Sequence, residues 1–190
     1  MKKILLFAVT LAVYTGASSQ LRLSEQFDNP PFSVTGDLGT QNSWVQNGSG
    51  TDVQVTFLSN NTGALTYPGY TSGKTYIDVD RYSSGGNGID PHKLFNSSVS
   101  TAANTTFFIS FVVRIPSAAT VALTTTAEYS VTLRNTTNTA YLSRFFIGKD
   151  VSNNIEFGIS CGQAAGNAVW TNGDYVANTN YLIVLRYDIE

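Results

Sequence analysis

The sequence predicts an all-β protein: a two-sheet antiparallel β-sandwich. Three observations point there. Apolar and polar residues alternate in many short runs after residue 20, and no helical period of useful length competes with them. Asparagine, glycine and proline clusters separate the runs. Only 13% of the residues are charged, about half the usual share, and serine, threonine and asparagine fill the gap with side chains that suit strands and turns better than helices.

The chain opens with Met1-Lys2-Lys3, an apolar run from Ile4 to Tyr14, and the small residues Gly16, Ala17, Ser18 and Ser19. This basic, apolar and small-residue order is that of a secretory signal peptide, residues 1–19, cut before Gln20. The run is too short for a transmembrane helix, which needs about 20 residues, and no later stretch is longer. The expected compartment is therefore extracellular or the cell surface. Without Lys2 and Lys3 the chain keeps nine basic and thirteen acidic residues, a weak acidity that argues against a nucleic-acid partner held through phosphates.

The mature domain, 20–190, reads as a succession of strands. Arg22–Phe27, Val53–Phe57 and Thr75–Val79 are short alternating candidates. Thr105 to Ile115 is the clearest, with Phe107, Ile109, Phe111, Val113 and Ile115 on one face and Ser110 and Arg114 on the other. Tyr129, Val131 and Leu133 alternate with Ser130, Thr132 and Arg134; Arg144–Gly148 is short; Ile155, Phe157 and Ile159 alternate with Glu156, Gly158 and Ser160. Tyr181, Ile183, Leu185 and Tyr187 form the last inward face. Between them stand Asn29-Pro30-Pro31, Asn47-Gly48, Asn60 to Gly63, Ser83 to Gly88, Asn153-Asn154 and Asn172-Gly173, turn sequences that tolerate positive φ. Several strands joined this way fold as two packed antiparallel sheets. The final pattern runs to Ile189 and Glu190 without a closing turn, so the sandwich is expected to be truncated at its C-terminus. A sorting or catalytic domain could stand in the full-length chain.

Cys161 is the single cysteine, which excludes an internal disulfide and leaves stability to the core. Five Asn-x-Ser/Thr triplets, from Asn47 to Asn135, carry little weight in so asparagine-rich a chain. Gly158-Ile159-Ser160-Cys161-Gly162 matches the nucleophile-elbow pattern. That chemistry needs an acid and then a histidine further along the chain, but His92 precedes the serine, so a strand running into a glycine turn is the preferred reading. One histidine and one cysteine leave no good zinc set.

Asp78, Asp80 and Asp90 flank a Gly/Ser/Asn loop, and oxygen ligands on a turn suit calcium, although the spacing departs from the EF-hand loop. Solvated aspartates at a strand end are the preferred reading, so no cofactor is expected and calcium is the one alternative that enters. The mature glutamates Glu25, Glu128, Glu156 and Glu190 are scattered along the chain. A glycosidase usually needs two carboxyls across a cleft, so enzymatic function is the minority reading. Trp44, Tyr67, Tyr70, Trp170 and Tyr175 lie in or beside loops, where flat rings with a polar edge can stack on sugar faces. Trp44 reads as a cap on the core. Trp170 and Tyr175 stand between core and ligand-binding roles, and with Tyr70 they form the candidate binding set.

Several stretches resemble a family of secreted bacterial proteins common in Bacteroidota. Leu23-Ser24-Glu25-Gln26-Phe27-Asp28-Asn29-Pro30 resembles its "E-x-F-D-Y-P" opening, with Asn29 in place of tyrosine. Gly63 to Tyr70 resembles its "G-L-T-Y-P-G-Y" segment. Phe107 to Arg114 is similar to its long strand, and Phe145-Phe146-Ile147 with Phe157 to Ser160 is similar to its "R-V-F-I … F-G-I-S" pair. The resemblance implies a concanavalin A-like or laminin-G-like jelly roll, often ahead of a C-terminal sorting domain. No catalytic residue carries over from it. A non-catalytic binding or adhesion module for a glycan or cell-surface polymer is the expected function. A secreted glycan-active enzyme (or its accessory domain) and a structural matrix component are the alternatives.

Overall fold

A computed structural model describes residues 36–46, 53–57, 65–70, 75–79, 91–96, 99, 105–117, 120, 123, 129–137, 139–162 and 167–189. The signal segment, the Arg22–Phe27 run, Asp80, Asp90 and the Ser83–Gly88 loop lie outside these residues. The described chain is all-β apart from 3₁₀ turns, of which Leu38–Thr40 is described whole. No helix among the described residues is long and apolar enough to cross a membrane.

Strands form where the alternation is clearest: β1 (Gly36–Asp37), β2 (Val53–Phe57), β3 (Thr75–Val79), β4 (Thr105–Arg114), β5 (Tyr129–Arg134), β6 (Tyr141–Lys149), β7 (Ile155–Cys161), β8 (Val169–Trp170) and β9 (Asn180–Ile189). All described pairings are antiparallel, in three ladders: β1-β2-β3, β4-β9 and β5-β6-β7-β8. Strands β4 and β9 pair along their whole length, from Thr105 opposite Ile189 to Arg114 opposite Asn180. This register sets Phe107, Ile109, Phe111 and Val113 opposite Tyr187, Leu185, Ile183 and Tyr181, so the two strands contribute one continuous apolar face.

That face packs on the four-stranded sheet. Ile115, Phe145, Ile155 and Phe157 are its buried centre, with Phe111, Val113, Val131, Ile147, Tyr181 and Ile183 packed around them. The aromatic contacts tie the layers together. Phe111 meets Phe145 edge-on at 5.3 Å, Phe145 lies 5.6 Å from Phe157, and Tyr181 approaches Phe157 edge-on at 5.8 Å. Edge-on and tilted pairs of this kind add to the area they bury.

Strand β6 does not alternate. Ser143, Arg144, Phe145, Phe146 and Gly148 are all buried, because the four-stranded sheet carries a second layer on the face turned away from β4 and β9. There Phe146 is wholly buried and tilts against the Trp170 indole at 5.9 Å. The Arg144 guanidinium lies over the rings of Tyr141 (5.0 Å) and Phe146 (5.6 Å), and Arg134 lies over Tyr141 at 4.4 Å. Two register shifts in the β5–β6 ladder, each adding local twist and re-aiming side chains, let Tyr129 and Tyr141 meet on this layer with their hydroxyls 3.0 Å apart.

Polar side chains close the turns. Asp150 accepts hydrogen bonds from the N–H groups of Ser152 and Asn154 in the β6–β7 hairpin, where Asn153 takes φ 68°. Asn135 Oδ1 accepts from the N–H groups of Thr139 and Ala140 before β6. The Asn178 side chain joins Ser117 through both of its polar atoms, while its own N–H donates to Ile115 O. Each is an amide or carboxylate standing in for a missing backbone partner.

Gly158 is required by the second layer. A Cβ there would sit 2.8 to 3.0 Å from three carbons of the Trp170 indole. Gly158→Ala is expected to displace Trp170 and cost about 1–3 kcal/mol, and Phe146→Ala about 3–5 kcal/mol. Urea denaturation of both variants checks this; two unchanged midpoints would show that the layer beneath Trp170 is not tightly packed.

Candidate functional site

The outward face of the β4–β9 ladder is where exposed chemistry gathers. Because the odd-numbered residues of both strands turn inward, the even-numbered ones turn out. They lie in cross-strand rows: Thr106 with Asp188, Phe108 with Arg186, Ser110 with Val184, Val112 with Leu182, and Arg114 with Asn180. A solvent-facing row would ordinarily be polar. Phe108 is nevertheless 67% exposed and Val184 56% exposed, which leaves an aromatic ring and an aliphatic patch open beside a guanidinium and hydroxyls.

The charged end of this face is ordered. Asp188 Oδ1 accepts from Thr106 Oγ1 at 2.6 Å and from Arg186 Nε at 3.0 Å. The Thr106 hydroxyl first, and then Arg186, hold the Asp188 carboxyl below the usual carboxylate range, so it is ionised at neutral pH. Arg186 and Asp188 also line a groove of about 510 Å³ between the end of β9 and β7–β8, floored by Ile159, Cys161 and Val169. Burial, with the neighbouring Cys161 thiol adding to it, pushes the Tyr187 hydroxyl upward, so it stays protonated there as a donor.

The other end of the face meets a turn. Tyr67-Pro68-Gly69-Tyr70 closes with Tyr70 N–H donating to Tyr67 O at 2.9 Å, and Gly69 takes φ 83°. This is a type II turn, with proline and glycine at the positions that suit them. It leaves Tyr67 and Tyr70 exposed, their rings edge-on at 6.4 Å. Asn180, an outward residue of β9, donates its Nδ2 to Thr66 O at 3.0 Å and so ties the turn to this end of the ladder.

The sequence-derived binding set is not brought together. Tyr70 is on this exposed turn. Trp170 is half-buried against Phe146 on the second layer. Tyr175 packs in the interlayer core, 4.4 Å from Phe157 and edge-on to Tyr181 at 5.1 Å. Trp170 and Tyr175 therefore lie on opposite faces of the four-stranded sheet and cannot touch one ligand. Trp44 is half-buried beside the 3₁₀ turn. Phe108 is the residue that sequence reasoning passed over, although its outward parity between Phe107 and Ile109 was a readable signal.

The remaining candidates resolve simply. Ser160 is a buried residue inside β7, opposite Arg144, and Gly162 follows with φ 73°, so the elbow-like motif is a strand running into a glycine turn. The backbone of His92 bridges that of Val45. Asp78 lies on β3 opposite Gln54; with Asp80 and Asp90 outside the described residues, the calcium set as a whole falls outside them too. Among the described residues no cluster of three or more His, Cys, Asp or Glu could hold a metal ion.

Two carboxyls near the β6–β7 hairpin, Asp150 and Glu156, are shifted in opposite directions. The Asn154 N–H, the Asn154 amide and the Ser152 N–H hold Asp150 low, and the carboxylate is committed to closing the hairpin. Partial burial, followed by the charge of Asp150, pushes Glu156 upward. Compared with models of known protein families, with curated proteins and with solved structures, the chain matches none of them.

The two shifts oppose each other in the pH dependence of stability. The Asp150 contribution is complete above the ordinary carboxylate value and fades as pH falls through its lowered one. Glu156 favours folding while protonated, and that benefit disappears as pH rises through its raised value. Glu156→Gln is expected to melt higher than wild type at pH 7, with the difference closing below about pH 4. Thermal melts across that range check it, and a gap that persists in acid would contradict the assignment.

Proposed function

We propose that this chain is a non-catalytic binding module, secreted or held at the cell surface, whose ligand is a glycan. The order of residues 1–19 supports export. The two-layer packing of β4–β9 on β5–β8 supports the finer reading of the fold as a concanavalin A-like jelly roll.

The observation that carries the proposal is Phe108. It is an aromatic ring 67% exposed on an outward strand position, with Arg186 directly across the ladder and Thr106, Ser110 and Asp188 around it. Sugars present C–H faces and a rim of hydroxyls. The ring and Val184 suit the first; the guanidinium, carboxylate and hydroxyls, which supply both donors and acceptors, suit the second. Among the described residues, Phe108 takes no part in the buried core.

Affinity electrophoresis of the full chain through gels containing soluble xylan, mannan, mixed-linkage glucan, alginate or polygalacturonate tests this. At least one polysaccharide is expected to retard the wild type, and Phe108→Ala is expected to weaken that binding at least about tenfold, equivalent to about 1.4 kcal/mol. The melting temperature should barely move, since the ring contributes little to the core. Free migration through every gel would end the glycan proposal.

A further inference from the structure

We infer that Asn172-Gly173 is a site of spontaneous covalent modification: the folded chain deamidates there, and the isoaspartate that results loosens the crossing from β8 to the core. The site does not depend on what the chain binds. Residues 171–174 follow β8 and run beside β7 without regular structure. Both ends of this crossing are fixed. At its start Thr171 N–H donates to Phe157 O at 2.8 Å, and Thr171 Oγ1 accepts from Phe157 N–H at 3.0 Å. At its end Tyr175 bridges Ile155 and packs against Phe157. Asn172 stands exposed between these anchors.

Deamidation needs an asparagine amide open to attack and a following backbone nitrogen free to attack it. The Gly173 nitrogen, once deprotonated, adds to Asn172 Cγ and closes a five-membered succinimide. The Cγ–Nδ2 bond breaks, and ammonia leaves with the proton that the backbone nitrogen gave up. Water then opens the ring at either carbonyl. One opening gives aspartate, and the other gives isoaspartate, in which the main chain runs through the former side chain. No electrons are gained or lost. A side chain on the following residue crowds the attack, so glycine is the most permissive successor. Among the described residues neither the Asn172 amide nor the Gly173 N–H is engaged in a hydrogen bond.

Neighbouring turn asparagines are closed to this reaction. The side chains of Asn135, Asn154 and Asn178 are held by hydrogen bonds to Thr139, Asp150 and Ser117. A β-branched residue follows each of them, which hinders the attacking nitrogen. Asn47-Gly48 and Asn87-Gly88 share the reactive sequence but lie outside the described residues. At position 173 packing itself demands glycine, because a Cβ there would sit 2.9 Å from Ile155 O and 3.2 Å from Asn154 Cβ. The close approach thus keeps the reactive junction in place. It also fixes the consequence. Isoaspartate adds one carbon to the main chain between Thr171 and Tyr175, and Gly173 has no room to take up that length toward Ile155. The anchoring contacts with Phe157 and Ile155 give way instead.

The test ages the full chain in heavy-oxygen water at body temperature and slightly alkaline pH, once folded and once unfolded in guanidinium chloride. Peptide mass spectrometry then locates each converted asparagine by its heavy-oxygen label and separates aspartate from isoaspartate. Asn172 is expected to convert in the folded chain within about tenfold of its rate in the unfolded chain, giving both products and running ahead of Asn135, Asn154 and Asn178. Aged wild type should then melt about 2–4 °C below an equally aged Asn172→Gln variant, the scale of losing one or two hydrogen bonds in a chain of this size. That variant changes only an exposed side chain, and conversion at any other asparagine lowers both proteins alike. Protection of Asn172 by more than tenfold on folding, aspartate as the sole product, or equal melting of the two aged proteins would each overturn the inference.

Discussion

Burial of β6 on both faces is the constraint on which the described structure depends. One side of the strand presents Phe145 to the core shared with β4 and β9, and the other presents Phe146 and Arg144 to Trp170 and Tyr141. Such a strand cannot slip its register, because a one-residue shift would exchange the two sets and break both layers at once. Its neighbours inherit that rigidity. Strand β7 must supply glycine at position 158 so that Trp170 can lie over the sheet. The β5–β6 ladder must bulge twice, once in each strand, to bring Tyr129 and Arg134 to the second layer. The position of β9, and with it the outward face, follows from contacts such as those of Tyr181 with Phe157 and Tyr175.

The low charge content acquires a structural meaning in this setting. A chain with one free cysteine, exposed on β7, must hold its loops without covalent links. It does so with short polar side chains at strand ends. Asn135, Asp150 and Asn178 each satisfy backbone or hydroxyl groups that a reversal would otherwise leave unpaired. Long charged side chains would perform this poorly, since ordering them costs more conformational entropy for each hydrogen bond made. Abundant asparagine and threonine with scarce lysine and glutamate therefore suit a sandwich whose turns are closed by side-chain hydrogen bonds. Where charge does appear in the interior, as at Arg144, aromatic rings flank it.

The all-β class and the inner faces of β4, β7 and β9 were legible in the sequence because each strand has one wet side, and a wet side writes a period of two. Strand β6 was legible only as a short segment, since burial on both sides erases that period. Trp170 and Tyr175 could not be separated from ligand-binding aromatics because position in a loop says nothing about which face of a sheet a ring covers. That distinction lies in tertiary packing, with one ring going to Phe146 and the other to Phe157. Phe108 is the opposite case. Its parity was plain once β4 had been placed, and attention to the inward partners Phe107 and Ile109 concealed it. The order in which the strands join their ladders was not legible from the strands alone, because pairing between distant segments such as β4 and β9 is decided by packing.

An exposed phenylalanine at the centre of a ladder carries a cost that a polar residue would avoid: apolar area left in water, and a surface prone to association with other chains. The neighbours of Phe108 limit that risk. Arg186 stands across from it, and the Arg186–Asp188 pair with Thr106 marks one end of the patch with groups that resist dry packing. At the other end the Pro68–Gly69 turn stands over the start of β9. Among the described residues, the apolar part of this face is therefore bounded along the strands by hydrogen-bonding groups, Thr106, Arg186 and Asp188 at one end and Asn180 at the other.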